Sequence, residues 1–291
     1  MSKLNIKENC LGFELYDGDS LVTLYRAREH IQRTDSPKPC FHPIYTSSGH
    51  LITEYRPGDH TWHTGLYYGW VHVNNANLWG GPWYLKELGK YQMYPGTHGE
   101  QKHQGFEIDV SDGVVTVKEA VDFLDGNDEL MARDRRTFEF RKLDGAAGTI
   151  WNISTEISPE VDTLTLGASR AAKYSGLELR MGRPFAPAEH RNSEGLVGHE
   201  NTMQKKGRWC IAAGECGGAV VMFDHPDNPR HPTNWFTRTN LMGAGLLIEG
   251  DLEVKRNETL VLRYAFLVLD ENPSDAFIKA QYEKWSMAGS D

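Results

Sequence analysis

The chain reads as an all-β protein, a large antiparallel β-sandwich of one domain spanning residues 1–291 with one C-terminal helix. Three observations predict this. Apolar and polar residues alternate in run after run, the pattern of strands buried on one face. Glycine next to Asp or a second Gly punctuates the runs at Asp112-Gly113, Asp125-Gly126, Asp144-Gly145 and Gly217-Gly218, which read as turns. Only one segment carries a convincing helical spacing.

The strands follow in order. Ser20–Arg26 carries Leu21, Val22, Leu24 and Tyr25. Gly113–Leu124 alternates Val115 and Val117 with Thr116 and Lys118, is interrupted at Glu119 and Ala120, and resumes with Val121 and Phe123. Thr137–Leu143 and Thr149–Ile157 alternate in the same way. Further strands are expected at Leu177–Met181, Arg208–Ala213, Ala219–Phe223, Gly245–Val254 and Thr259–Leu269. Pro273-Ser274-Asp275 then offers a stop and an N-cap, and Ile278, Tyr282 and Trp285 follow at i, i+4 and i+7. A helix over Ser274–Trp285 should therefore lie against the outside of the sheets. The strand-poor stretches Ile44–Phe106 and Met181–Gly207 are long loops or hold hidden strands.

Composition narrows the function classes. The net charge is −9 with no basic run, which argues against nucleic acid as a partner. No apolar run of about 18 residues exists and residues 1–10 lack a secretory core, so a cytoplasmic protein with no membrane partner is expected. The four cysteines form no CxxC pair, and Cys210 and Cys216 read as buried thiols. No glycine-rich phosphate loop, GxGxxG or GxSxG occurs, so no nucleotide cofactor is expected.

The chemistry is concentrated between Phe41 and Phe106. Seven of the twelve histidines fall between His42 and His103, and four of the eight tryptophans between Trp62 and Trp83. Imidazole supplies proton transfer near neutral pH or a metal ligand, and indole supplies a flat face suited to a sugar ring. Asp59-His60-x-x-His63 is the densest point. Three readings stand: an acid/base histidine assisted by Asp59, a divalent metal held by His60, His63 and Asp59, or hydrogen-bonded anchors of a long loop. Arg56 precedes it and Trp62 lies within it. A second cluster holds Gln101 and His103. A third, stiffened by Pro226, Pro229 and Pro232, presents His225, Asn228, His231, Trp235 and Arg238. Arg180 ends the stretch that begins at Tyr174. The three histidine-bearing clusters are expected to line one concave site.

These clusters, in this order, resemble a family of uncharacterised bacterial proteins labelled PmoA-like. The resemblance rests on Pro43-Ile44-Tyr45-Thr46 with Gly49, on Arg56 through Leu66, on Trp70, Val73-Asn74 and Trp79, and on Arg135-Arg136-Thr137. It continues through Tyr174 to Arg180, Asp224-His225-Pro226 to Arg238, and Asn257 to Tyr264. It departs at Thr61, where the family usually has Pro, and at Ser175-Gly176, where Gly-Gly is common. The methane-oxygenase label does not suit a chain without a membrane segment. The resemblance implies a galactose-mutarotase-like supersandwich and gene neighbourhoods of sugar oxidation and isomerisation.

Residues and resemblance together lead to an enzyme moving a proton on a sugar or oxidised glycoside, of mutarotase, epimerase, lyase or hydrolase type. His60 or His63 is the acid/base with Asp59 its partner. Arg56, Gln101, His103, Arg180, His225, Asn228, His231 and Arg238 bind hydroxyls, and Trp62 and Trp235 stack on the ring. The alternative is a non-catalytic carbohydrate-binding or regulatory module.

Overall fold

The computed structural model describes residues 3–85, 88–168 and 173–287. Two large antiparallel sheets carry the chain, as the alternation predicts. The nine-stranded sheet runs Leu4–Glu8, Gly12–Asp17, Ser20–Arg26, Cys40–Ile44, Leu66–Gly69, Gly176–Arg180, Leu241–Ala244, Asn234–Arg238 and Lys205–Lys206. The eight-stranded sheet runs Ala188–Asn192, Trp209–Gly214, Ala219–Asp224, Leu260–Leu269, Gly148–Pro159, Leu130–Lys142, Val114–Leu124 and Glu100–Ser111. A three-stranded and a two-stranded sheet complete the set.

The inner faces of the two large sheets share one apolar core. Phe13, Phe41, Leu66, Leu177 and Leu179 come from one sheet, and Val117, Phe138, Trp151, Ile153 and Phe266 from the other. Each such side chain, fully withdrawn from water, contributes roughly 1.5–3 kcal/mol. The helix Asp275–Met287 lies on the outer face of the eight-stranded sheet. There Ile278, Tyr282 and Trp285 pack with Trp209, Ile211, Phe223 and Leu267. Ser274 Oγ accepts the Phe277 amide at 3.3 Å, which is the expected cap.

Several boundaries differ from expectation. Residues 245–250 are not strand; the strand lies earlier, at Leu241–Ala244, and a separate one covers Leu252–Lys255. The stretch at 44–106 contains Leu66–Gly69, His72–Val73, Trp83–Leu85, Lys90–Gln92 and the start of Glu100–Ser111. The stretch at 181–207 contains Ala188–Asn192, Lys205–Lys206 and a one-turn helix, His199–Thr202. Cys210 is buried as expected, but Cys216 sits in a turn and is partly exposed.

Register decides what the nine-stranded sheet shows on its outer face. Glu178 pairs with Tyr67 on one side and Gly243 on the other, and Gly243 pairs with Phe236. Leu177 and Leu179 point into the core. Glu178 and Arg180 therefore point outward, because side chains alternate along a strand.

Candidate functional site

The outer face of the nine-stranded sheet is roofed by a hairpin. Tyr55 bridges to Thr64, the Arg56 amide donates to His63 O at 2.8 Å, and the tip closes through His60 N to Pro57 O at 2.9 Å. Arg56 Nη2 donates to Asp35 Oδ2 at 2.6 Å, and Thr61 Oγ1 to Asp35 Oδ1 at 3.1 Å. Arg56 is thus an anchor of the hairpin.

At the tip, His60 Nδ1 lies 2.9 Å from Asp59 Oδ2, and both side chains are exposed. The imidazole holds the Asp59 carboxyl below its ordinary range. His63 packs edge-on against His60, ring centroids 5.2 Å apart, but is buried. It is 5% exposed, edge-to-face with Trp79 at 5.4 Å, and burial with the Arg180 charge depresses its pKa to about 2. It is neutral at any physiological pH. Trp62 closes the roof, packed so tightly on Gly81 that a Cβ there would lie 2.5 Å from the indole.

Beneath this roof lies a cluster of buried polar atoms. Trp62 Nε1 and His63 Nδ1 are buried without a hydrogen-bond partner among the described residues. Tyr67 Oη, Trp79 Nε1 and Glu178 are buried beside them, and the phenol and the indole serve the Glu178 carboxyl as hydrogen-bonding neighbours. Glu178 sits in a notch between two glycines: a Cβ on Gly69 would lie 3.0 Å from its Oε2, and one on Gly243 3.1 Å from its Cγ. Burial drives its pKa up to about 7, and nearby Tyr67, Lys38 and Trp79 temper the rise. Lys38 is 7% exposed. Its ammonium donates to Trp62 O at 2.8 Å and Trp79 O at 2.5 Å and lies 4.5 Å from the Tyr67 ring centroid. Burial lowers its pKa to about 7. Both groups therefore exchange protons near neutral pH, a property that concentrates at functional sites.

Arg180 stands two residues along the strand from Glu178, on the same face. Its Nε donates to Glu54 Oε2 at 3.1 Å, and its charge reaches both Asp59 and His63. It lines an open groove of about 760 Å³ with His42, Glu54, Tyr55, Arg183 and Asn240. His42 stacks on Tyr55 at 4.9 Å, and burial lowers its pKa to about 4.

The expected single pocket for the three histidine clusters does not form. His60, His63, Trp62 and Arg180 come together. Gln101 and His103 lie on the eight-stranded sheet, turned toward the interior. Gln101 is 2% exposed and spends its amide on Tyr68 O, Leu78 O and Arg136 Nη2, so it has nothing left for a ligand. The third cluster is an anchor. Asp224 accepts from Asn228 Nδ2 at 2.8 Å and the Thr233 amide at 2.9 Å and lies 2.7 Å from His231 Nδ1. Asn228 also bonds the Arg263 backbone in both directions. His225 lies against Trp285 of the C-terminal helix, on the far side of the molecule from His60. Trp235 is 0% exposed in the core and donates to Gly207 O, so it cannot stack on a sugar. Arg238 is exposed beside Phe236, 5.7 Å from its ring, at the far edge of the site.

Among the described residues no group of three or more His, Cys, Asp and Glu side chains is placed to hold a metal ion. The candidate set Asp59, His60 and His63 does not form such a group: the imidazoles lie 5.2 Å apart at their centroids, and His60 Nδ1 is turned to Asp59 at 2.9 Å. The sequence reading gave no site role to Lys38, Tyr67, Trp79 or Glu178. Lys38 lies between Pro37 and Pro39 in what reads as a surface loop. Glu178 had a visible signal: it shares the outward parity of Arg180.

The sequence matches one protein family across residues 13–283, and the chain belongs to that family, described as a family of unknown function, DUF6807. No curated protein matches it.

Proposed function

We propose that this member of a family without an assigned activity processes a carbohydrate by proton transfer on the outer face of its nine-stranded sheet. The single observation behind this reading is the convergence of buried polar groups around Glu178, whose carboxyl has the Tyr67 phenol and the Trp79 indole as hydrogen-bonding neighbours and the unpartnered Trp62 N–H and His63 Nδ1 close by. The Trp62 indole donates, and Glu178 accepts or, when protonated, donates. A sugar hydroxyl, both donor and acceptor, complements that set. Trp62 and Tyr174 offer ring faces beside it, and Arg180 leads into the adjoining groove. Glu178 is the acid/base group inside the roof, and Asp59–His60 is the exposed pair at its rim. A carboxyl poised near 7 both gives and takes a proton at working pH. The paired sheets suit a galactose-mutarotase-like sandwich, an analogy of fold only.

The test is a panel of aldoses and oxidised glycosides, followed by NMR in D₂O for anomer exchange, carbon-bound hydrogen exchange and bond cleavage. On the active sugar, Glu178→Gln should lower turnover about a hundredfold or more with the fold intact, and His60→Ala should lower it too. Wild-type turnover in Glu178→Gln overturns the reading. The roof favours a second one: Glu178 is 3% exposed beneath Trp62 and Trp79, as in a binding module that closes on its ligand. Calorimetric binding of a sugar that is never turned over would select it.

A further inference from the structure

The eight-stranded sheet has a cleft of its own, on its outer face beside the C-terminal helix. Its volume is about 370 Å³, within the roughly 300–1,000 Å³ typical of small-molecule sites. The register explains its position. Arg141, Ile150 and Leu267 stand side by side, and the helix covers the last two. Two residues along the strands, Glu139 and Asn152 stand beside Ala265, the last covered position. The next outward set is Thr137, Ser154 and Arg263. The outer face thus turns from apolar to polar where the helix cover ends, and Trp285 forms the wall at that edge.

Some of the polar groups are spent on the protein. Asn152 Nδ2 donates to Glu139 Oε2 at 2.9 Å, and Arg263 Nη1 to Asp227 Oδ2 at 3.0 Å. Arg141 Nε and Asn152 Oδ1 are sealed from water, so no ligand is asked to reach them. What remains lies on half-buried side chains that line the cleft: the Thr137 and Ser154 hydroxyls, Glu139 Oε1 and the terminal nitrogens of Arg141. None of these atoms has a hydrogen-bond partner among the described residues, and none is sealed. Among the described residues Arg141 makes no ion pair; its charge is felt at Asp144, which Lys284 already holds at 2.8 Å. His225 adds a donor. Its Nδ1 accepts the Asp227 amide at 3.2 Å, so the neutral ring carries its proton on Nε2, which is likewise unpartnered and unsealed.

We propose that this cleft is a second carbohydrate-binding site, in which Thr137, Ser154, Glu139 and Arg141 take the hydroxyls of one sugar ring held against Trp285. One carboxylate and one guanidinium cancel, which disfavours an ion as the ligand. Two hydroxyls that donate and accept, one acceptor and a set of N–H donors match the hydroxyls of a sugar, which do both. The indole supplies apolar surface for the C–H side of the ring. The cleft lies on a different sheet from Glu178 and stands on its own geometry, whatever the reading of that residue.

The experiment labels the full chain with 5-fluorotryptophan and assigns the Trp285 ¹⁹F resonance with Trp285→Phe. The probes are the methyl glycosides of glucose, galactose, mannose and xylose, with acetate and glycine as charged controls. At least one glycoside should shift Trp285 saturably, and the controls should not. Ser154→Leu fills the floor and should abolish the response. Arg141→Met keeps the stem without the cation and should weaken it about tenfold. Melting curves report the fold, and if Ser154→Leu unfolds, Ser154→Ala with Thr137→Val takes its place and should weaken the response to a similar degree. The Trp62 and Trp79 resonances report the other sheet, so the two sites are read apart. A flat Trp285 response to all the glycosides overturns the proposal, as does one confined to Trp62 and Trp79. So does an equal shift with acetate or glycine, or a glycoside response that survives both variants.

Discussion

Glu178→Gln makes the stability of this protein a direct readout of its site. The carboxyl titrates near 4.5 in the unfolded chain and at about 7 in the fold, raised by burial. The native state therefore holds a proton that the unfolded state releases. Where the native state binds more protons, stability falls as pH rises. The loss begins at about pH 4.5 and is complete above about pH 7. At about 1.4 kcal/mol per pH unit, the interval corresponds to roughly 3 kcal/mol. Glutamine has the same shape and does not ionise. The variant and wild type should therefore have similar unfolding free energies at pH 4, and the variant should be about 3 kcal/mol more stable at pH 8–9. Urea unfolding followed by tryptophan fluorescence, repeated from pH 4 to 9, measures the difference. Parallel curves, or a variant less stable at pH 9 than at pH 4 relative to wild type, would show that Glu178 is not held against its burial cost. A stabilised but inactive variant is the signature of a residue retained for function.

Lys38→Met removes the cation that helps hold Glu178 down, so the pH-dependent loss should extend above pH 7, read in the same urea series. His42 and His63 stay neutral in the fold because burial lowers them to about 4 and about 2, whereas the unfolded chain protonates both near 6.5. Their contribution is present above about 6.5 and is lost as pH falls, so stability should drop by roughly 1 kcal/mol per histidine by pH 5.5. His42→Gln should make that acid slope shallower. Asp224→Ala strands the Thr233 amide, His231 and Asn228 in the interior and should cost about 3 kcal/mol of unfolding free energy. Its turnover on the active sugar should be unchanged, and a lost turnover would return the third cluster to the site.

The fold was legible because most strands obey the alternation that one buried face imposes. Ser20–Arg26 matches to the residue, and Val114–Leu124 to within one. The strand expected from Thr137 begins seven residues earlier, at Leu130, because Asp134 and Arg136 point inward and break the pattern. They are buried as a pair, Arg136 Nε to Asp134 Oδ2 at 2.7 Å, which periodicity cannot anticipate. The site was legible only in part. Trp62, His63 and Arg180 stood out by residue type, and they do meet. Lys38 and Glu178 look like ordinary exposed charges, since nothing in a single sequence says that a hairpin some 120 residues away will cover the strand that bears Glu178. The third histidine cluster misled because polar side chains that satisfy a stiff loop look the same as side chains offered to a ligand.

The glycine notch around Glu178 constrains how this family can change. Gly69 and Gly243 come from distant parts of the chain yet flank one carboxyl. A methyl group on either would displace Glu178 or Trp79 and cost about 1–3 kcal/mol before any new activity appeared. Drift at either glycine is thus filtered by the acid between them. A lineage that replaced Glu178 with a smaller residue would release both positions at once. Loss of the acid should therefore precede variation at the glycines, and an ancestral reconstruction that ordered those events would date the loss of the chemistry.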